Sequence, residues 1–161
     1  AGREGDSLVI YRTESPRQWS DRILSAPGRF VFDSWVLELS LHPAPLRKDP
    51  APPAANRLTV AIDALKVHWP LTVRSWQAGD RFQPLGMTGT KKLQDLFTDC
   101  RIPRRLRPLI PLLCDQDKIC WVVGLRVDER VRVTEATGQV LVAQAWFESS
   151  EDLWASRKGA G

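Results

Sequence analysis

Residues Gly79 to Pro111 read GDRFQPLGMTGTKKLQDLFTDCRIPRRLRPLIP, and the rest of the chain is organised around them. Gly79, Gly86 and Gly89 punctuate a loop in which the backbone must turn tightly or come close to something. Thr90 then predicts an N-cap for a helix from Lys91 to about Asp99, with Leu93, Leu96 and Phe97 on one face at i, i+3 and i+4. Pro103 suits the first turn of a second helix, from which Arg104, Arg105 and Arg107 project. From Lys91 onward the stretch holds Lys91, Lys92, Arg101, Arg104, Arg105 and Arg107 against Asp95 and Asp99. That surplus of four equals the formal net charge of the whole chain, +4. A positive field focused in this way suits a phosphate-bearing partner.

Two lysines in a helical first turn oppose the helix dipole, at a cost of a few tenths of a kcal/mol each. Beside exposed N-terminal amides they make a phosphate cradle. Three arginines within four residues cannot all face a core, and guanidinium forks suit bidentate phosphate contact. The competing reading makes the lysines ordinary solvated residues and pairs the arginines with Asp95, Asp99 or Asp115. Asp80, with Arg74 and Arg81, reads as an ion-pair network that fixes the loop. A lone carboxylate beside arginines has little acid/base value.

Outside this stretch the chain reads as strands. Leu8–Tyr11 is a short strand, and Arg29–Phe32 and Trp35–Leu41 suggest a hairpin around Asp33-Ser34. Leu58–Ile62 and Leu71–Trp76 precede the basic stretch; Leu112–Cys114, Ile119–Val123, Val131–Val133 and Gly138–Phe147 follow it. Between them, residues 43–56 carry five prolines in fourteen residues (Pro43, Pro45, Pro50, Pro52, Pro53), the composition of a linker or long loop. Residues 148–161 have little to bury and read as a frayed tail. The expected fold class is α+β: mostly β, with two short inserted helices.

With 161 residues, 43% of them hydrophobic, the chain is long enough for one proper core or two small ones. Charged residues make up 26%, which excludes a disordered polyelectrolyte. Cys100, Cys114 and Cys120 have no metal-ligand spacing; Cys114 and Cys120 lie in apolar runs and read as buried free thiols of a reducing, cytoplasmic setting. No apolar run approaches the ~18 residues of a membrane span. The start, AGREGDS, is expected to be the beginning of an internal or trimmed piece. Gly86-Met87-Thr88-Gly89 fits a GxxG backbone clamp, a four-residue pattern of low specificity whose flanks do not match that RNA-binding fold. Trp76, Phe82 and Trp121 could stack on bases, although core packing is the commoner use. His42 and His68 are isolated, and no GxxxxGK[ST] or Ser-Gly-Gly-x-Asp-Ser loop occurs. No catalytic residue and no metal site is therefore expected.

The string from Arg74 through Asp128 resembles the C-terminal domain of bacterial tRNA(Ile)-lysidine synthetases. The matching pieces are Arg74, Gly79-Asp80-Arg81-Phe82, Pro84, Gly86-Met87, Gly89, Lys91-Lys92-Leu93, Asp95-Leu96-Phe97, Asp99, Ile102-Pro103-Arg104, Arg107, Pro111, Trp121-Val122 and Gly124-Leu125-Arg126. They cover roughly a third of the chain in one ordered block; residues 1–70 match less distinctly.

This resemblance implies a small layered domain built on a β-sandwich of unusual topology, related to a domain of the phenylalanyl-tRNA synthetase β subunit. It divides the chain into a linking segment 1–42, a Pro-rich stretch 43–56, the domain itself at 57–147 and a tail 148–161. Family members use ATP with magnesium to activate the wobble cytidine of a CAU-anticodon isoleucine tRNA and join lysine to it. That chemistry belongs to an N-terminal pyrophosphatase-loop domain whose loop is missing here, so no cofactor is expected in this chain and the chain alone is expected to be inactive. The C-terminal domain grips tRNA(Ile). Carried over, Lys91, Lys92, Arg104 and Arg107 are the expected phosphate contacts, with Arg74, Arg81 and Arg105 behind them and Gly86 and Gly89 allowing close backbone approach. The expected partners are tRNA(Ile), through its phosphate backbone, and the catalytic domain of the same enzyme. The alternative is a stand-alone nucleic-acid- or protein-binding module without catalysis.

Overall fold

The structure, a computed structural model, describes residues 21–32, 35–45 and 57–147. In chain order the strands there are β1 (Arg22–Leu24), β2 (Gly28–Phe32), β3 (Trp35–Pro43), β4 (Arg57–Asp63), β5 (Leu71–Arg74), β6 (Arg81–Phe82), β7 (Lys91–Lys92), β8 (Leu112–Cys114), β9 (Ile119–Val122), β10 (Arg126–Val127) and β11 (Gln139–Phe147). One sheet has the order β1-β5-β8-β9-β10 and a second has β2-β3-β11-β4; β6 and β7 form a separate two-stranded ribbon. The pairings between these strands are antiparallel.

Side-chain alternation explains the four-stranded sheet. On β3, Trp35, Leu37 and Leu39 turn into the core, while Val36, Glu38 and Ser40 lie on the other face, Val36 buried and the two polar residues half-buried. β11 supplies Leu141, Ala143 and Ala145 to the same core by the same period. In the five-stranded sheet, β8 and β9 are buried at every position and read as continuous apolar runs. Leu71 and Val73 of β5 join them, so the inner faces of both sheets enclose one core. The architecture is the expected mostly-β sandwich with short helical insertions.

The predicted hairpin is present: β2 pairs with β3 from Phe32↔Trp35 to Gly28↔Leu39. β4, β5, β8, β9 and β11 fall where strands were expected. Val131–Val133 does not form a strand; Glu129–Val131 is a 3-10 turn capped by the Asp128 carboxylate, which accepts from the Arg130 amide. The two-residue strands β6, β7 and β10 and the three-residue β1 are too short to show a period. The Leu8–Tyr11 strand, most of the Pro-rich stretch and the tail 148–161 lie outside the described residues.

A division at residue 43 does not separate two cores. Pro43 is the last residue of β3 and pairs with Gln139. Leu24, Trp35, Leu37 and Leu39 pack in the same core as the strands after residue 57.

Candidate nucleic-acid interface

β5 and β8 are hydrogen-bonded neighbours, with Arg74 opposite Leu112. Residues 75–111 therefore leave and rejoin one end of the five-stranded sheet with their ends held together by the ladder. Asp80 anchors the outgoing arm. Its carboxylate takes both guanidinium nitrogens of Arg74, at 2.9 and 3.0 Å, and the Gln77 amide at 2.7 Å. The bidentate bond to Asp80 raises the Arg74 pKa, against the effect of partial burial. The Asp80 carbonyl accepts the Leu93 amide at 2.8 Å. Arg74 and Asp80 thus form the expected fixing pair, but Arg81 is not part of it: its guanidinium donates to the Thr90 hydroxyl at 3.0 Å and to the Thr90 carbonyl at 3.2 Å.

That arrangement corrects the expected helix start. Thr90 is engaged by Arg81 and does not cap an amide. Lys91 and Lys92 are β7, paired with Phe82 and Arg81. The α-helix runs Leu93–Asp99, with Lys92 at its N-cap in extended conformation (φ −65, ψ 135) and no side-chain cap. The lysines do not form a first-turn phosphate cradle. The apolar face is as expected, with Leu93, Leu96 and Phe97 buried. The second helix is a 3-10 segment, Arg104–Leu109, with Pro103 preceding it and Pro108 inside it. Pro108 has no amide to continue an α-helical ladder, and the bonds Leu106 N–H to Pro103 O and Ile110 N–H to Arg107 O close tighter turns.

Two anchors far along the chain hold the loop between β6 and β7. The Asp128 carboxylate accepts the Gln83 amide at 2.9 Å and is itself gripped by the Arg130 guanidinium at 2.8 and 2.9 Å. Glu129 accepts the Gly86 amide at 2.7 Å and pairs with Arg132. The Met87 amide donates to the Pro84 carbonyl, and Gly86 sits third in that turn at φ 85. A type II turn demands that positive φ, which glycine adopts without strain. Gly89 has no positive φ, and a Cβ there would meet nothing within 4 Å. Nothing within the described fold requires glycine at that position.

The cations divide by environment. Lys91 is half-buried and paired with Asp99. Arg107 departs from its expected role as a phosphate contact: it is only 8% exposed, donates to the Ile102 carbonyl at 2.9 Å and lies 5.5 Å from the centre of the Phe97 ring. Burial, and after it the charge of Arg104, lowers its pKa. Arg107 is a packing residue in this geometry. Lys92, Arg101, Arg104 and Arg105 are exposed and have no carboxylate partner among the described residues. Asp99 and Asp115, offered as partners for the arginines, pair with Lys91 and Lys118 instead.

Phe82 and Trp121 are core residues, and Trp76 packs edge-on against Phe97 at 5.7 Å. Burial pushes the Cys114 thiol up to about 12 and raises that of Cys120 further. His68, Asp115 and Asp117 bring ligand atoms within 4.8 Å of one another. Both oxygens of Asp115 are already taken by the Lys118 ammonium and by the amides of His68, Asp117 and Lys118. Asp128 and Glu129 escaped sequence reasoning because the amides they hold lie 45 and 43 residues away.

Residues 71–144 match the family model described as the TilS substrate C-terminal domain, and the match encloses the whole 75–111 excursion. This block is a C-terminal domain of the tRNA(Ile)-lysidine synthase family. Similar proteins include the tRNA(Ile)-lysidine synthase of Parabacteroides distasonis, 45% identical over 87 residues, which are 54% of this chain and 20% of that protein. The tRNA(Ile)-lysidine synthase of Dehalococcoides mccartyi is 38% identical over 110 residues, 68% of this chain and 23% of that protein. The chain thus spans about a fifth of the curated relatives it matches. In fold, the chain resembles the crystal structure of a TilS C-terminal domain, with a TM-score of 0.65 at 24% identity over 81% of this chain and 100% of that one. An N-terminal fragment of the phenylalanyl-tRNA synthetase β subunit from Pyrococcus horikoshii matches 58% of this chain and 29% of its own, with a TM-score of 0.51 at 18% identity. Among the described residues, no helix is long and apolar enough to cross a membrane.

Proposed function

We propose that this chain is the tRNA-gripping module of a lysidine synthase. It holds the phosphate backbone of tRNA(Ile) while a separate catalytic domain, in the cytoplasm, uses ATP, magnesium and lysine to modify the wobble cytidine. The carrying observation is the division of the cations. Arg74, Arg107 and Arg130 are spent on holding the excursion together, while Lys92, Arg104 and Arg105 stay exposed beside it without a carboxylate. A fold needs no unpaired cations concentrated in one short segment, and a polyanion rewards them through counterion release. The sequence contains no phosphate-binding or pyrophosphatase loop to hold ATP. The residues present fit binding and positioning rather than adenylation.

Anisotropy titration of the chain with unmodified tRNA(Ile) across a salt series tests this reading. Roughly four phosphate contacts give a slope of about −3 in log K against log salt. The combined variant Lys92→Ala, Arg104→Ala, Arg105→Ala should flatten that slope by two or more, with an unchanged thermal melt. A slope near zero for the unaltered chain would remove the reading. Leu85 and Met87, 52% and 45% exposed on either side of Gly86, favour a protein contact as well. They offer an apolar footing for the catalytic domain, and binding that persists at high salt would mark it.

A further inference from the structure

The helix Leu93–Asp99 ends in a complete left-handed stop. The Ile102 amide donates to the Phe97 carbonyl at 2.9 Å and the Arg101 amide to the Thr98 carbonyl at 3.0 Å, the paired bonds of a Schellman motif. Ile102 and Phe97 are both buried in the core and supply the apolar contact that accompanies such a stop. Arg101 occupies the left-handed position at φ 59. Glycine suits that position because a Cβ there crowds the following carbonyl. Arg101 is the one non-glycine residue at positive φ among the described residues. Its side chain is exposed, with no hydrogen-bond or ion-pair partner among them.

A cation near a helix C-terminus gains from the helix dipole, but a lysine would gain as much. Backbone strain kept at a solvent-facing side chain with no internal contact points to a contact outside the chain. Arg104 follows three residues later, so the two Cα atoms lie within about 11 Å of each other. Lys92 stands at the other end of the helix, whose seven residues rise about 10 Å. These spacings put the three cations within one short stretch of the surface. We propose that Arg101 is a further phosphate-contact residue, held at a strained helix stop so that its guanidinium adds to the exposed cations Lys92, Arg104 and Arg105. This assignment rests on the tRNA-gripping reading above.

The test compares the unaltered chain with Arg101→Gly and Arg101→Lys by tRNA(Ile) anisotropy across a salt series and by thermal melting. Arg101→Gly should melt about 2–4 °C higher, because the strain is relieved. It should also bind roughly fivefold to tenfold more weakly, with a salt slope shallower by about 0.7. Arg101→Lys keeps the charge and the strain, so its melt and slope should match the unaltered chain. A wild-type slope near zero would overturn the tRNA reading itself. A steep wild-type slope left unchanged by Arg101→Gly would overturn only the assignment of Arg101. A lower melting point for Arg101→Gly would make Arg101 a dipole partner and overturn it too.

Discussion

Replacing Arg107 with alanine removes a guanidinium that donates to the Ile102 carbonyl and lies over the Phe97 ring. With the side chain 8% exposed, the loss of hydrogen bonding, packing and cation–π attraction should cost about 2–3 kcal/mol in urea unfolding. Arg104→Ala should leave stability within about 0.5 kcal/mol, since that side chain touches no partner among the described residues, and should weaken tRNA binding instead. Equal losses of stability in the two variants would refute the division between packing and contact arginines. The sequence showed that Arg104, Arg105 and Arg107 could not all face the core. Which one turned inward was not legible, because the choice depends on the Ile102 carbonyl and the Phe97 ring meeting across a turn that Pro108 keeps in 3-10 form.

The ribbon of β6 and β7 with its intervening loop is the element least visible in the sequence. Two-residue strands have no period, and the anchors that shape the loop, Asp128 and Glu129, come after β8 and β9. The Gly86 amide is the largest cause of the lowered Glu129 pKa, followed by Arg132. A depressed carboxylate pKa means that the tether is fully present above the ordinary glutamate range, near pH 4.3, and is lost as pH falls through the lower folded value. The Gly86 amide proton shift, followed by NMR, should therefore titrate with a midpoint below about 4.3 and stop titrating in Glu129→Gln. A midpoint at or above the ordinary value would show that Glu129 does not hold the loop. The helix beside the ribbon was half legible. Its apolar face followed from Leu93, Leu96 and Phe97, but its start moved two residues because Thr90 is held by Arg81 and Leu93 by the Asp80 carbonyl.

Across the whole molecule, the family match at 71–144 and the expected boundary at 57 both leave out strands that the fold uses. β11 is an inner strand of the four-stranded sheet and pairs with β3 along its full length, from Gln139↔Pro43 to Phe147↔Trp35. A chain cut to residues 57–147 loses that ladder together with Leu24, Trp35, Leu37 and Leu39 from the core. Losing each large buried side chain costs about 2–5 kcal/mol, so four cost about 8–20 kcal/mol, as much as the roughly 5–15 kcal/mol that keeps a typical domain folded, and the lost β3–β11 ladder adds to that. The shortened chain should show no cooperative thermal transition by circular dichroism. A sharp melt would establish residues 57–147 as an independent domain.

What the sequence alone determined is local: alternation placed the longer strands, apolar spacing gave the helix its buried face, and the count of lysines and arginines located the charge. These signals depend on residues within a few positions of one another. The tertiary structure decided which cations are free, which glycine the turn requires, and that residues 22–43 share the core. The loop anchors and the shared core depend on groups brought together from more than forty residues apart, and the fate of the cations on which nearby carbonyl, carboxylate or ring each one reaches; neither kind of pairing leaves a periodic trace in the chain.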